Sequence, residues 1–520
     1  MGRVLTNNLG LAYSIESALG TAGTSWQYVE PNEVGRFGTN ISKVARNPIS
    51  KNRQRRKGTV TDLDSAVEYQ ADWTMSAFED FVEGFCFATA INADMDIAST
   101  AAETTTDTYT VAALTAAQSA KLEFSTGEYA TLIYARGFTN SGNNGLKSVD
   151  ADIATSATAI SVAENLVDEA SPPANARVEL AGLRSLAAAA DWTWDWDGTE
   201  KTGTLTSAAD ITDFSQFGLT VGQFIHIGSP DGSGGVTNAF ENAAANDMYG
   251  YARIKTLGTG TIVCDKVDAA LQFDDAVAPT TAVDIMFGKF IRNVDVDDTD
   301  YLERSFQFEA EWENLGSAGA SEFEYAKGNY CNEVAFQLPL ADKATVSFGF
   351  IGTDTESPVA SGSRKSGAST ALNPLMTDAL NTSADIARLR VTETDETSLT
   401  TDFKSLTITI GNNVSPEKVL GTLGASYMNT GNFMVDIEAE LLFTNGDVVD
   451  RIRNNTTVTM DFIVKNGDGG VAVDVPSLTL GDGTRNLPVN ESVTIQTTSE
   501  AHEDETLGTS IGISTFPYLP

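Results

Sequence analysis

Apolar and polar residues alternate with a period of two along much of the chain. Val67, Tyr69, Ala71 and Trp73 share one face, and Glu68, Gln70 and Asp72 take the other. Phe306, Phe308, Ala310 and Trp312 repeat the pattern, which sends Gln307, Glu309 and Glu311 outward. Residues 332–338, 344–351, 405–410, 434–443, 457–464 and 492–497 read the same way. Glycine, Asn and Asp separate these runs. Such alternation predicts antiparallel sheets with one buried face.

One helix interrupts the pattern. Ser76-Ala77-Phe78-Glu79 has the form of a capping box, and Phe78, Phe81, Val82 and Phe85 follow at helical spacing. Their stripe is expected to pack on a sheet. The fold class predicted is mainly β, a sandwich or barrel with one flanking α-helix.

Two stretches in the middle resemble each other, 127–162 and 222–264. Each runs from a Gly-polar-aromatic strand through a Gly/Asn loop to a second strand and then an apolar one. A duplication yielding two small inserted β modules would explain this. Residues 35–61 and 352–402 show weak periodicity and read as long loops. Loops of that length in a folded protein usually have a task, such as docking on a neighbour.

Composition sharpens this picture. The 520 residues exceed one ordinary core. There are 33 basic and 71 acidic residues, a formal charge of −38, which repels nucleic acid and anionic membranes. Yet residues 36–57 hold Arg36, Lys43, Arg46, Lys51, Arg53, Arg55, Arg56 and Lys57 and no acid. Phe37 is the one aromatic among them, which argues against base stacking. Docking onto an acidic surface of another copy is the better expectation.

Little chemistry is offered. His226 and His502 are the two histidines, and Cys86, Cys264 and Cys331 are scattered. No His-based triad, zinc site or disulfide framework is expected, and no cofactor. The N-terminus lacks the apolar run of a secretory signal; it matches a myristoylation pattern of low specificity. Asp295–Asp300 resembles a calcium loop, but Asp300 replaces the required glycine and Phe306 the bidentate glutamate. Gly228–Gly235 has no Lys-Ser/Thr to cradle phosphate. Trp192, Trp194 and Trp196 alternate with polar residues, as a buried strand face or, less often, a glycan-stacking platform.

A series of segments then resembles a known family. The basic stretch leads through Gly58-Thr59-Val60 to the strand ending at Trp73, and on to the helix around Phe78–Phe85. Tyr301-Leu302-Glu303-Arg304-Ser305-Phe306, Tyr325-Ala326-Lys327-Gly328-Asn329 and 405–413 follow, then Val475-Pro476-Ser477-Leu478 and Ala501-His502-Glu503-Asp504. Together they resemble the tail tube proteins (major tail proteins) of long non-contractile-tailed bacteriophages, siphophages, of the kind with inserted domains. The resemblance implies no enzyme. It implies a virion protein, assembled in the host bacterial cytoplasm, whose hexameric rings stack into the tube that delivers the genome. It implies partners in tape measure, tail tip and tail terminator proteins, non-adhesive passage of double-stranded DNA, and no membrane. Domains are expected at 1–100 and 289–520 for the two parts of the tube domain, with modules at 101–180 and 181–288. The modules would project outward, so that deleting 107–282 would leave assembly intact. The eight basic residues would dock between rings. The competing expectation is a surface or virion adhesin that binds glycans through its β modules.

Overall fold

The computed structural model describes the chain except residues 1–4, 50, 52–53, 79–80, 187–191, 208–210, 231–235, 238–248, 273–281, 314–319, 360–363, 366–367, 395, 397, 401 and 445. The fold is mainly β, with two large antiparallel sheets.

The first sheet uses β1 (Leu9–Ala18), β2 (Pro31–Arg46), β3 (Arg56–Asp72), β4 (Ser305–Trp312), β5 (Glu322–Leu338), β6 (Thr345–Gly352), β7 (Ile386–Glu393), β8 (Phe403–Gly411), β9 (Met434–Leu442), β10 (Thr457–Asn466), β11 (Gly469–Asn486), β12 (Thr494–Ala501) and β13 (Gly512–Phe516), with shorter strands. One layer runs β2-β3-β6-β5-β8-β9-β12-β11. β5 and β11 are long enough to serve two layers. The first half of β5 pairs with β4, and β4 with β1. The first half of β11 pairs with β10 and β13, and β10 with β7. The layers enclose one apolar cluster, in which Tyr69, Phe336, Phe348 and Ile408 meet Val391, Met460, Phe462 and Val473.

The predicted single helix is two short ones, α1 (Met75–Phe78) and α2 (Val82–Cys86). Ser76 lies inside α1 and hydrogen-bonds the Leu375 carbonyl at 3.2 Å instead of capping; Glu79, the other half of the expected box, lies outside the described residues. Phe78, Phe81, Val82 and Phe85 are all buried in the same cluster. Phe81 meets Tyr13 at 4.5 Å and Phe306 at 5.2 Å between ring centroids. α2 lies so close to β5 that a Cβ at Gly84 would come within 2.7 Å of the Cys331 sulfur.

The first expected loop is corrected, and the second in part. Most of 35–61 belongs to the β2–β3 hairpin. The 352–402 stretch contains Asp354–Val359, which pairs with β5, and β7, which pairs with β10. Periodicity is weak there because these strands are solvated or only half covered. Gln307 and Glu309 are also buried, not outward. A second apolar cluster, with Trp26, Tyr325 and Ala371, lies on that side of β4. Glu309 accepts a hydrogen bond from the Tyr325 hydroxyl at 2.7 Å and from Arg364 at 3.1 Å. Burial still raises its carboxyl above the ordinary value.

The second sheet holds the described strands between Asp96 and Met286. Strands on both sides of residue 181 hydrogen-bond in it: Tyr129–Arg136 joins Arg177–Ser185, which joins Asp284–Met286 and then Phe224–Pro230. One apolar cluster runs through it. This sheet packs on the first. Leu132, Ala181, Phe224, Tyr251 and Met286 meet Ile463, Ala472, Phe516 and Leu519. A buried charge network crosses the same junction. Lys266 reaches Asp474 at 2.5 Å, and Arg253 holds Asp474 and Asp265, both at 2.7 Å. On the other side Asp461 takes Arg390 at 3.0 Å and Arg388 at 2.5 Å, and Arg388 returns to Asp268 at 3.0 Å. Burial raises the Asp474 carboxyl, and Lys266 and Arg253 more than reverse it, leaving it below the ordinary value. Removal of the 107–282 stretch would therefore open a joined surface rather than trim a separate appendage.

Candidate assembly surfaces

The β2–β3 hairpin leaves the rest of the sheet. The last pair that ties β3 to β6 is Ser65 with Gly352. Beyond it, among the described residues, the two strands pair only with each other, to Arg46 opposite Arg56. At about 3.4 Å per residue, this makes an arm of roughly 30 Å. Its root is held by Lys418, 2.6 Å from both Asp62 and Asp64. The Lys418 hydrogen bond is the main reason the Asp62 carboxyl sits below its ordinary value. Leu63 is buried there, against the approach of Gly424.

Past the root the arm is bare. Lys43, Arg46, Lys51, Arg55, Arg56 and Lys57 are exposed, and among the described residues none forms an ion pair. Arg36 stands apart, on the sheet itself, 3.9 Å from Glu68. Arg53 lies outside the described residues. Ile41, Val44, Ile49 and Val60 are exposed on the same arm. A two-stranded ribbon has marginal stability alone in water, and exposed apolar residues on it want a cover. Two register shifts, at Ser42/Lys43 and Val44/Arg46, and the cations oppose indiscriminate strand pairing along its free edge.

The other surface is the open face of the eight-strand layer. One cross-strand row runs Gln70-Ser347-Ala335-Thr409-Asp436-Glu500, and the next Asp72-Thr345-Gln337-Thr407-Glu438-Thr498. Glu68 and Glu333 flank Gly349 in a third. Gln70 donates to Gln337 and Ser347, both at 3.3 Å. The face is thus polar, with carboxylates at Glu68 and Asp72 on β3, Glu333 on β5, Asp436, Glu438 and Glu440 on β9 and Glu500 on β12. Its few cations sit at its borders and are paired: Arg36 with Glu68, Lys343 with Asp72, Lys404 with Glu440. Asp436, Glu438 and Glu440 alternate with Val435 and Ile437, so the signal for this face was in the sequence. Which strands would be neighbours was not.

The remaining motifs are interior or bare. Trp192, Trp194 and Trp196 are buried, and Trp194 donates to the Leu271 carbonyl at 2.7 Å. That stripe is core and leaves no stacking platform. His226 is buried with its ring 4.9 Å from Tyr251; burial, and Lys465 second, lowers it to about 3. The three cysteines are buried. Asp295–Asp300 is an exposed turn, and among the described residues no group of three or more His, Cys, Asp or Glu is placed to hold a metal ion. Among them, too, no helix is long and apolar enough to cross a membrane.

Comparison with known proteins bears on these surfaces. Residues 6–501 match a family model described as phage tail tube protein. No curated protein matches the chain.

Proposed function

Because the chain belongs to the phage tail tube protein family, we propose that it polymerises as stacked hexameric rings into the tube of a siphophage tail. That tube is the conduit for genome delivery into the host bacterium. The protein is a structural component of the virion. It meets tape measure, tail tip and tail terminator proteins at the tube's interior and ends, and assembles in the host cytoplasm. The tube domain comprises the strands of the first sheet, and the second sheet, between Asp96 and Met286, is inserted in it as one unit that faces outward. The basic residues of the arm, Lys43, Arg46, Lys51, Arg55, Arg56 and Lys57, together with Arg53, serve docking between rings, whereas Arg36 stays on the sheet beside Glu68.

The observation that carries this reading is the open face. A sheet with one buried face normally turns the other to solvent; here that face is polar, carboxylate-bearing and free of unpaired cations among the described residues. Turned inward in a ring, it would line a bore with charge of the same sign as DNA. Duplex DNA binds proteins chiefly by exchanging counterions for cationic side chains, and such a wall supplies none.

Negative-stain electron microscopy of the concentrated, untagged chain is the test, with hollow tubes or six-fold rings expected. Persistent monomers under all conditions would count against it. The variant Asp436→Lys/Glu438→Lys/Glu500→Lys should still assemble but retain duplex DNA in low salt, unlike the parent. Equal DNA retention by both would remove the bore assignment.

A further inference from the structure

On the reading that the chain stacks into a tube, we infer that the arm of one copy docks at the opposite strand ends of the next. The acceptor is the turn between β5 and β6, residues 339–344, with the loop at 376–385 behind it.

The topology sets the alignment. The arm leaves β3 beyond the Ser65–Gly352 pair, and the β5–β6 turn lies past the Asp72–Thr345 pair at the far end of the same column. Copies stacked along the strand direction bring arm and turn together. The contact joins two different patches, so it is head-to-tail and does not close on itself; repeated, it propagates a filament.

The chemistry matches. The arm offers exposed Ile41, Val44 and Val60 among cations with no acid from 36 to 57. The acceptor offers Leu340, 66% exposed, and Met376, 92% exposed, beside exposed Asp342 and Asp378. Its lysine, Lys343, is already bound to Asp72 at 2.6 Å and does not oppose the incoming charge. The acceptor is also firmly built. Thr382 donates twice to the Asp342 carbonyl, at 3.0 and 2.7 Å, and Ala344 donates to the Leu380 carbonyl at 2.9 Å. A fixed patch that pairs apolar spots with carboxylates complements a ribbon that pairs apolar spots with guanidinium groups.

Cysteine trapping tests this on the full chain, since the native cysteines are buried. Val44→Cys combined with Leu340→Cys, oxidised after assembly, should give a ladder of covalently linked chains on a non-reducing gel; each single variant should not. As a second measurement, Arg55→Glu/Arg56→Glu should reduce polymer at least tenfold. Adding Asp342→Lys/Asp378→Lys to that chain should restore it. Normal tubes from the cysteine pair without a ladder, or no restoration by the charge exchange, would overturn the docking site alone. Unmodified chain that never polymerises would instead overturn the tube reading, and this inference with it.

Discussion

His226 shows how a residue that suggests chemistry can be a packing element. It sits in a strand, its ring is against Tyr251, and burial holds it near a pKa of about 3. An unfolded histidine titrates near 6.5. Between those values the unfolded chain binds a proton that the folded chain refuses, so stability falls as pH drops from about 6.5 toward 3. At 1.36 kcal/mol per unit, the loss approaches about 4 kcal/mol at the acid end. His226→Phe should flatten that limb of the denaturation profile while leaving pH 8 stability within about 1.5 kcal/mol. An unchanged acid limb would show that the ring is solvated in the folded state. Phe224, Ile225 and Ile227 around His226 are the sequence signal for a strand residue rather than a ligand. Glu309 had no such signal: alternation places it outside, because alternation reports one covered face and cannot reveal a second cover such as Trp26 and Ala371.

Among elements, what was legible followed from solvent contrast. β3 was readable from Val67 to Asp72, where one face is core and the other open. Toward Arg56 the same strand loses its alternation because both faces are wet, and it read as loop. The helix was recognised from Phe78, Phe81, Val82 and Phe85, and its division into two was not, since spacing sets the buried side and not the hydrogen bonds. The arm gives a prediction at this scale. Neutralising Arg53, Arg55 and Arg56 together should leave the unfolding midpoint of the monomer within about 0.5 kcal/mol, as for most exposed substitutions. It should also abolish tubes at physiological salt. The parent's assembly should weaken as salt rises, because exposed charges more than about 10 Å apart are screened at 0.1 M. Salt-insensitive assembly, or tubes from the neutralised chain, would assign the arm another role.

For the molecule as a whole, the two sheets are joined by more than their chain connections. Without the second sheet, Ile463, Ala472, Phe516 and Leu519 lose their cover and Asp474 loses both Lys266 and Arg253. A buried charge stripped of its partners costs about 3–5 kcal/mol. Deletion of 107–282 with a short linker should therefore give insoluble or unassembled protein, the reverse of the expectation from sequence. Partial rescue is expected from Asp474→Asn with Phe516→Ser and Leu519→Ser; soluble, assembling deletion protein without them would show the junction to be incidental. No periodicity could have announced this surface, because its charged members lie far apart in the chain.

β11 has a mechanical meaning. Its first half carries Ala472 and Asp474 into the junction, and its second half pairs with β12 in the open-faced layer. A pull on the second sheet therefore reaches that layer through continuous covalent backbone. Where the load runs along the strand, it is shared by many hydrogen bonds in shear instead of opening them one at a time. The strand acts as a tie-rod between the two sheets, and if the open face lines a tube, a tail under tension would stretch there last.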